Sequence, residues 1–180
     1  MVRIYLLILF VTLINHSFSQ ERESKFGVGM SIGGKNCYGV FCLYGNYKLK
    51  KLNFDFGGGI RDVFVLSGGL KYNFYSGFKK YKPLLGLNYS YQKKGNIQYE
   101  YNQANDSYYV FPTQYLHLYL ANNFFLDEFA SFQINIGYTR NISGINFYHL
   151  IGPNLKNESI RRLLSSGLLI GIDFIVYFGR

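Results

Sequence analysis

The chain has 180 residues, a length that suits one domain with a stable core of its own. It contains 18 tyrosines, 17 phenylalanines and 20 glycines, and this abundance of β-favouring aromatic residues argues against a helical bundle. The formal net charge of +9 favours anionic lipids or acidic sugars as neighbours. Because the sequence also carries a predicted secretion signal, we expect no nucleic-acid partner.

Residues 1–19 have the pattern of a cleaved signal peptide. Arg3 supplies the positive start, residues 4–14 are almost continuously apolar, and Ser17, Phe18 and Ser19 form a small-x-small cleavage site. The apolar run of about 11 residues is too short for a transmembrane helix, which disfavours an uncleaved anchor. The second predicted unit is one domain covering residues 20–180.

Beyond the signal peptide, large apolar residues alternate with small, polar or charged ones. A period of two places each set on one face of a β-strand. In the third such segment, Leu52, Phe54, Phe56 and Ile60 alternate with a second row that contains Asp55. The eight predicted strands are Lys25–Ser31, Tyr38–Lys48, Leu52–Arg61, Val63–Tyr75, Pro83–Gln92, Gln114–Leu126, Ser131–Arg140 and Gly167–Phe178.

The distribution of charge between the two rows predicts which face is outside. The apolar rows carry no charge except Arg140, whereas the other rows include Asp55, Arg61, Lys71 and Asp173. A soluble barrel, such as a lipocalin-like carrier, places its apolar row inside. The inverted arrangement predicts an all-β fold, an eight-stranded antiparallel up-and-down transmembrane β-barrel. The second strand has the least regular alternation, and on it we place Phe41, Leu43 and Tyr47 outside and Tyr44, Asn46 and Lys48 inside.

The connections between the strands predict the orientation of the barrel. The two long ones, residues 93–113 and 141–166, follow the fifth and seventh strands and therefore lie at the same end. Outer-membrane barrels have short periplasmic turns and longer extracellular loops, so we expect two long extracellular loops that offer a surface for an extracellular ligand. The first is rich in Tyr and Asn, which fits either a binding surface or an extension of the strands. Residues 154–164 fit either a short helix capped by Asn157 or Ser159, or a continuation of the last strand.

The last predicted strand ends in Gly-Ile-Asp-Phe-Ile-Val-Tyr-Phe, residues 171–178. It resembles the C-terminal targeting strand of small outer-membrane β-barrel proteins of Gram-negative bacteria. That group includes the OmpA-type, OmpX and opacity-like barrels and the PorT-like barrels of Bacteroidota. The resemblance implies location in the cell outer membrane, contact with outer-membrane lipids and lipopolysaccharide, and insertion by the barrel-assembly machinery.

An eight-stranded barrel has an interior just wide enough for its own side chains. We therefore predict that Asp55, Arg61, Lys71 and Asp173 form an interior polar network that plugs the lumen. The alternative is a narrow proton or ion path. At the outer end, Arg140, Arg161 and Arg162 are predicted lipopolysaccharide contacts, because arginine pairs with phosphate in a bidentate manner.

No catalytic motif accompanies the residues that carry chemistry. The candidates are His117, His149, Ser143 and Glu158, and no nucleophile pattern flanks either histidine. We predict no enzymatic activity, no cofactor and no metal. Cys37 and Cys42 lie five positions apart, too far along a strand for a disulfide, so two free thiols are expected.

The expected role is structural or surface-interacting, without a through-pore. Two alternatives remain open at the level of the sequence. One is an outer-membrane lipid-modifying enzyme, similar to a lipid A deacylase or acyltransferase, and the other is an accessory barrel of a secretion or envelope-assembly complex.

Overall fold

The computed structural model describes residues 24–34, 39–75, 80–101, 104–126, 129–151 and 157–178. The predicted signal peptide (1–19) and Cys37 lie outside these residues. The elements are β1 (Ser24–Gly34), β2 (Phe41–Leu49), β3 (Leu52–Arg61), β4 (Val63–Asn73), β5 (Tyr81–Gln92), β6 (Gly95–Tyr101), β7 (Ala104–Val110), β8 (Thr113–Phe125), β9 (Ala130–Asn141), β10 (Phe147–Ile151), α1 (Asn157–Leu164) and β11 (Gly167–Phe178).

Eight of these strands close into an antiparallel barrel. Its order is β1-β2-β3-β4-β5-β8-β9-β11, and β11 pairs back onto β1 to complete the cylinder. Strands that are neighbours in the barrel also follow one another along the chain, except where β6, β7, β10 and α1 come between them. The topology is therefore up-and-down, as predicted. β3 and β11 have the predicted bounds, and the other six strands differ from prediction by a few residues at their ends.

The two long connections build a second sheet at one end of the barrel. β6 follows β5 outward, and β7 returns into β8. β10 pairs with β7 to give a three-stranded sheet of order β6-β7-β10. From α1, Ile160 and Leu164 join a buried cluster with Tyr108 of this sheet and Val63 of the barrel. We call the sheet and α1 the cap. The barrel end that carries it is the cap end, and the opposite end is the turn end.

The cap bears on two segments for which the sequence left alternatives open. Within residues 93–113, the chain forms the strands β6 and β7, which belong to the cap sheet and not to the barrel sheet. Within residues 154–164, the chain forms the helix α1 from Asn157, and the continuation of the last strand is wrong there.

The two faces of the barrel have the predicted polarity. Outward side chains are large, apolar and exposed: Phe56 is 70% exposed and Ile172 56%. Among the barrel-strand side chains that the structure describes, Arg140 is the one charge in the outward rows. The inward rows contain buried polar residues, and the inward assignment of Asn46 and Lys48 on β2 is confirmed.

Leu52 differs from its neighbours in the outward row of β3. It was expected to be exposed, yet it is only 2% exposed. Leu49 and Tyr72 lie directly opposite it on the two adjacent strands. Cross-strand partners stand on the same face of a sheet, so these two side chains flank Leu52.

Glycines make room for the aromatic rings of the interior. A Cβ atom at Gly29 would come within 2.5 Å of the Tyr44 ring, and one at Gly57 would collide with the same residue. Gly86 and Gly137 stand in the same relation to Tyr119. The ring of each tyrosine therefore packs over one glycine, Gly29 or Gly86, while its Cβ lies close to the other, Gly57 or Gly137, the close approach that glycine permits in a sheet.

Candidate functional site in the barrel interior and the cap

Lys71 on β4 holds together the central layer of the barrel interior. Its Nζ lies 2.7 Å from Asp55 Oδ2 and 3.7 Å from Asp173 Oδ2. All three side chains are buried. The structure thus brings together three of the four residues that the sequence placed in an interior network.

Neutral side chains complete the hydrogen bonding of the two carboxylates. Ser31 Oγ donates to Asp173 Oδ1, and Asn46 Nδ2 donates to Asp55 Oδ1. Gln133 Nε2 donates to Asp173 Oδ2 at 3.1 Å, while its Oε1 accepts from Lys71 Nζ at 3.4 Å. Buried charges persist when they are both paired and hydrogen-bonded, and this layer supplies both conditions.

Arg61 is also buried in the barrel interior, but it lies apart from the Lys71 layer. It is the last residue of β3, six positions beyond Asp55, and six strand residues span about 20 Å. Its guanidinium carbon lies 5.1 Å from the centre of the Tyr115 ring, nearer the cap end. The side chain is buried, so the stacking on Tyr115 takes place inside the barrel.

His117 lies in a buried chain of hydroxyl groups near Tyr115. Its Nε2 is 2.6 Å from Ser90 Oγ, and its Nδ1 is 2.8 Å from Thr139 Oγ1. A serine beside a histidine is the beginning of a nucleophile–base pair. Here the third partner is a hydroxyl group where a triad places a carboxylate, and none of the three residues is exposed. The pair is closed to a lipid or sugar substrate in this arrangement.

The turn end contains two buried lysines beside one aromatic ring. Lys82 Nζ is 5.1 Å and Lys48 Nζ 5.8 Å from the centre of the Phe125 ring. Sequence reasoning missed Lys82, because it assigned residues 76–82 to a link. Continuing the inward row of β5 back from Gly86 and Leu84 would have found it.

The three arginines predicted to contact lipopolysaccharide have different surroundings. Arg140 is exposed in the outward row of β9, next to the last residue of that strand at the cap end. Arg161 and Arg162 are exposed on α1. Arg162 Nη2 lies 3.8 Å from Glu158 Oε1 across one helical turn, whereas Arg161 borders a cleft.

This cleft lies between β10 and α1 and has a volume of about 250 Å³. His149 is held in its wall: Nε2 is 3.5 Å from Asp106 Oδ1, and the ring centre is 5.1 Å from that of Tyr108. The cleft was not predicted, because it depends on how two consecutive elements of one connection pack against each other, which their sequence pattern does not determine. It is lined by Ile145, Phe147, Tyr148, His149, Asn157 and Arg161.

The remaining sequence-based expectations concern thiols and metals. Cys42 is a buried free thiol, as predicted. Within the parts of the chain that the structure describes, no three His, Cys, Asp or Glu side chains are placed to share a metal ion. The helical segment found in those same parts is neither long nor apolar enough to cross a bilayer.

Comparison with known proteins gives a weak structural likeness. No known family model and no curated protein sequence matches this chain. Among solved structures, it is similar to a major outer membrane protein from Thermus thermophilus, at 14% sequence identity and a TM-score of 0.46. The match covers 87% of this chain and 100% of the other. With similarity this low, function has to be argued from the residues of this chain.

Proposed function

We propose that the chain is a β-barrel protein of the Gram-negative outer membrane, with a structural or surface-interaction role. The observation that carries this proposal is the inverted polarity of the barrel. Large apolar side chains cover the outside, with Arg140 as the single charge among the described outward rows, and ionic side chains fill the inside. Soluble proteins rarely expose contiguous apolar patches larger than a few hundred Å², whereas a lipid-facing band must be apolar.

The filled interior supports a barrel without a through-pore. Tyr44, Tyr119 and Tyr177 lie in one buried apolar cluster inside the barrel, and the layer of Lys71 and its two carboxylates is equally buried. Eight strands leave an interior that side chains alone can fill. We therefore propose that the polar network is a plug that fixes the register of the strands.

The proposed partners follow from the two ends and the outer surface. Outer-membrane lipids would surround the apolar band, and lipopolysaccharide phosphates would meet Arg140, Arg161 and Arg162 at the cap end. The alternating strand β11 would be presented to the barrel-assembly machinery during insertion. The role is proposed to be non-enzymatic, because Ser90 and His117 are sealed from any substrate and the third member of their chain is a hydroxyl group.

Expression in a Gram-negative host tests this location. We expect the protein to fractionate with the outer membrane and to migrate differently on gels before and after boiling, since a closed barrel with satisfied backbone hydrogen bonds resists detergent. A soluble maltose-binding protein, processed in parallel, controls for contamination of the fractions. Recovery of the chain as a soluble periplasmic protein would refute the proposal.

Planar-bilayer recording tests the plug. Purified protein should give no steady, large unitary conductance, because the buried side chains occupy the lumen. Asp173→Asn serves as the matched variant, since it removes one interior charge at nearly constant volume. Stable conductance by the wild type, with an ion selectivity that this variant alters, would replace the plug with a channel.

A further inference from the structure

We propose that the cleft between β10 and α1 binds an anionic sugar, that is, a sugar unit bearing a phosphate or carboxylate group. This inference rests on the proposed function in one respect, because the cleft meets such a ligand only if the cap faces the outside of the cell. The cleft joins a cationic, hydrogen-bonding side to an aromatic side, and it is separate from the polar interior of the barrel.

Arg161 and the beginning of α1 form the anion-binding side. Among the described residues, no carboxylate lies within ion-pair distance of Arg161, in contrast to Arg162 beside Glu158. Arginine binds phosphate and carboxylate groups with two parallel hydrogen bonds. Asn157 opens α1 at the same cleft, so the positive dipole end of the helix adds to the charge of Arg161 there.

One further polar atom is available to a ligand. Asn157 Oδ1 has no hydrogen-bond partner within the described structure. His149 Nε2 faces Asp106 Oδ1 at 3.5 Å, and Asp106 in turn accepts a hydrogen bond from Tyr108 Oη at 3.4 Å. Asp106 therefore holds the imidazole in place in the wall of the cleft, while Asn157 offers a partner to a sugar hydroxyl group.

The aromatic side and the volume indicate a sugar, as opposed to a bare anion. Phe147 and Tyr148 line the cleft, and Tyr148 is held in place by a stacked contact with Tyr109 at 5.1 Å between ring centres. Flat aromatic rings give the C–H face of a sugar ring a large contact area. The volume of about 250 Å³ lies just below the roughly 300–1,000 Å³ of typical small-molecule sites, which suits one sugar unit with its charged group.

Isothermal titration calorimetry on the folded protein in detergent micelles tests the site. The probes are glucose 1-phosphate, glucuronate, glucose and inorganic phosphate. We expect one or both anionic sugars to bind more tightly than glucose or phosphate. Arg161→Gln should weaken that binding by at least about tenfold, because it removes a charge-assisted bidentate contact. Lys80→Gln is the control, since it removes one positive charge from an exposed position at the turn end, away from the cleft, and it should change the affinity by less than about twofold.

Three outcomes would overturn the inference. These are the absence of binding by both anionic sugars, an equal loss of affinity in Arg161→Gln and Lys80→Gln, and binding of inorganic phosphate as tight as that of glucose 1-phosphate. Retention of the boiled–unboiled gel shift in Arg161→Gln shows that the variant is folded. We also compare the affinity for lipopolysaccharide in micelles with the affinity for the free anionic sugars. This comparison shows whether the preferred sugar is lipid-linked or soluble, and binding of either form supports a sugar site in the cleft.

The proposal of sugar binding in the cleft and the proposal of an outer-membrane location can be refuted independently of each other. Outer-membrane recovery of a protein that binds no anionic sugar would refute the cleft alone. Sugar binding, with sensitivity to Arg161→Gln, by a protein recovered from the periplasm would refute the location and leave the cleft intact.

Discussion

Replacing Lys71 with methionine is expected to lower the free energy of unfolding of the barrel by about 3–5 kcal/mol. The lysine ammonium lies between two buried carboxylates, at 2.7 Å from Asp55 and 3.7 Å from Asp173. Methionine fills a similar volume but leaves two like charges in the interior without their shared cation. Removing one partner of a buried ion pair is costly, because the remaining charge keeps its desolvation penalty.

Urea unfolding in detergent micelles, followed by the gel shift between folded and unfolded forms, measures this loss. Lys93→Met, which removes the same charge from an exposed position beyond β5, should change the unfolding free energy by less than about 0.5 kcal/mol. Adding Asp55→Asn and Asp173→Asn to Lys71→Met should restore most of the stability, because the triple variant buries no charge in this layer. A Lys71→Met barrel as stable as the wild type would show that the layer is not an ionic plug.

Replacing Ile172 with lysine is expected to impair insertion by about 2–4 kcal/mol, the cost of a cation on the lipid-facing side of a barrel at the middle of the bilayer. Ile172 lies near the middle of β11 in the outward row and is 56% exposed. Leu168→Lys, in the same row of the same strand but next to its cap-end start, should cost only about 0–1 kcal/mol, because charge near the interface is tolerated. The yield of folded protein in lipid vesicles measures both values.

The pair of variants separates a membrane barrel from a soluble one. Leu168 and Ile172 are exposed to a similar degree, 62% and 56%, so water on the outside would make the two lysines equally harmless. A cost that depends on depth requires a nonpolar surrounding medium. Equal and small effects at both positions would contradict the proposed location of the protein.

The barrel was predictable because its signal is local and repeats. Side chains along a strand alternate with a period of two, and rows such as the one from Phe54 to Ile60 show it without any knowledge of the partner strand. The inverted polarity also followed from the sequence, because charges such as Asp55 and Asp173 share a row with glycine and asparagine. That Asp55, Asp173 and Lys71 share the interior could be predicted from the sequence, because an eight-stranded barrel leaves inward charges little space to separate.

The position of Arg61 apart from Lys71, and the cleft of the cap, could not be predicted from the sequence for a different reason. The position of a residue along the barrel axis depends on the register between strands. The alternation of side chains between the two faces does not determine that register. For Arg61, its position along the barrel axis brings the guanidinium next to Tyr115 and away from Lys71. In the cap, the pairing of β10 with β7 joins two connections separated by the strands β8 and β9. The residues that line the cleft all belong to one connection, but the position of β10 depends on its pairing with β7, and that pairing leaves no pattern in the connection itself.

The pairing of β1 with β11 has a consequence for the order of assembly. Most of the barrel forms from hairpins between strands that are close in the chain, but the seam that completes it joins Phe26 to Phe178. Contacts between distant segments form slowly, because the chain must lose entropy before they bring any gain. Until the seam forms, the first and last strands are open edges whose N–H and C=O groups have no partners, a state that the bilayer interior does not tolerate. In the proposed membrane location, closing the seam would therefore accompany entry into the bilayer, and we expect the pairing of β1 with β11 to be the slow step of folding.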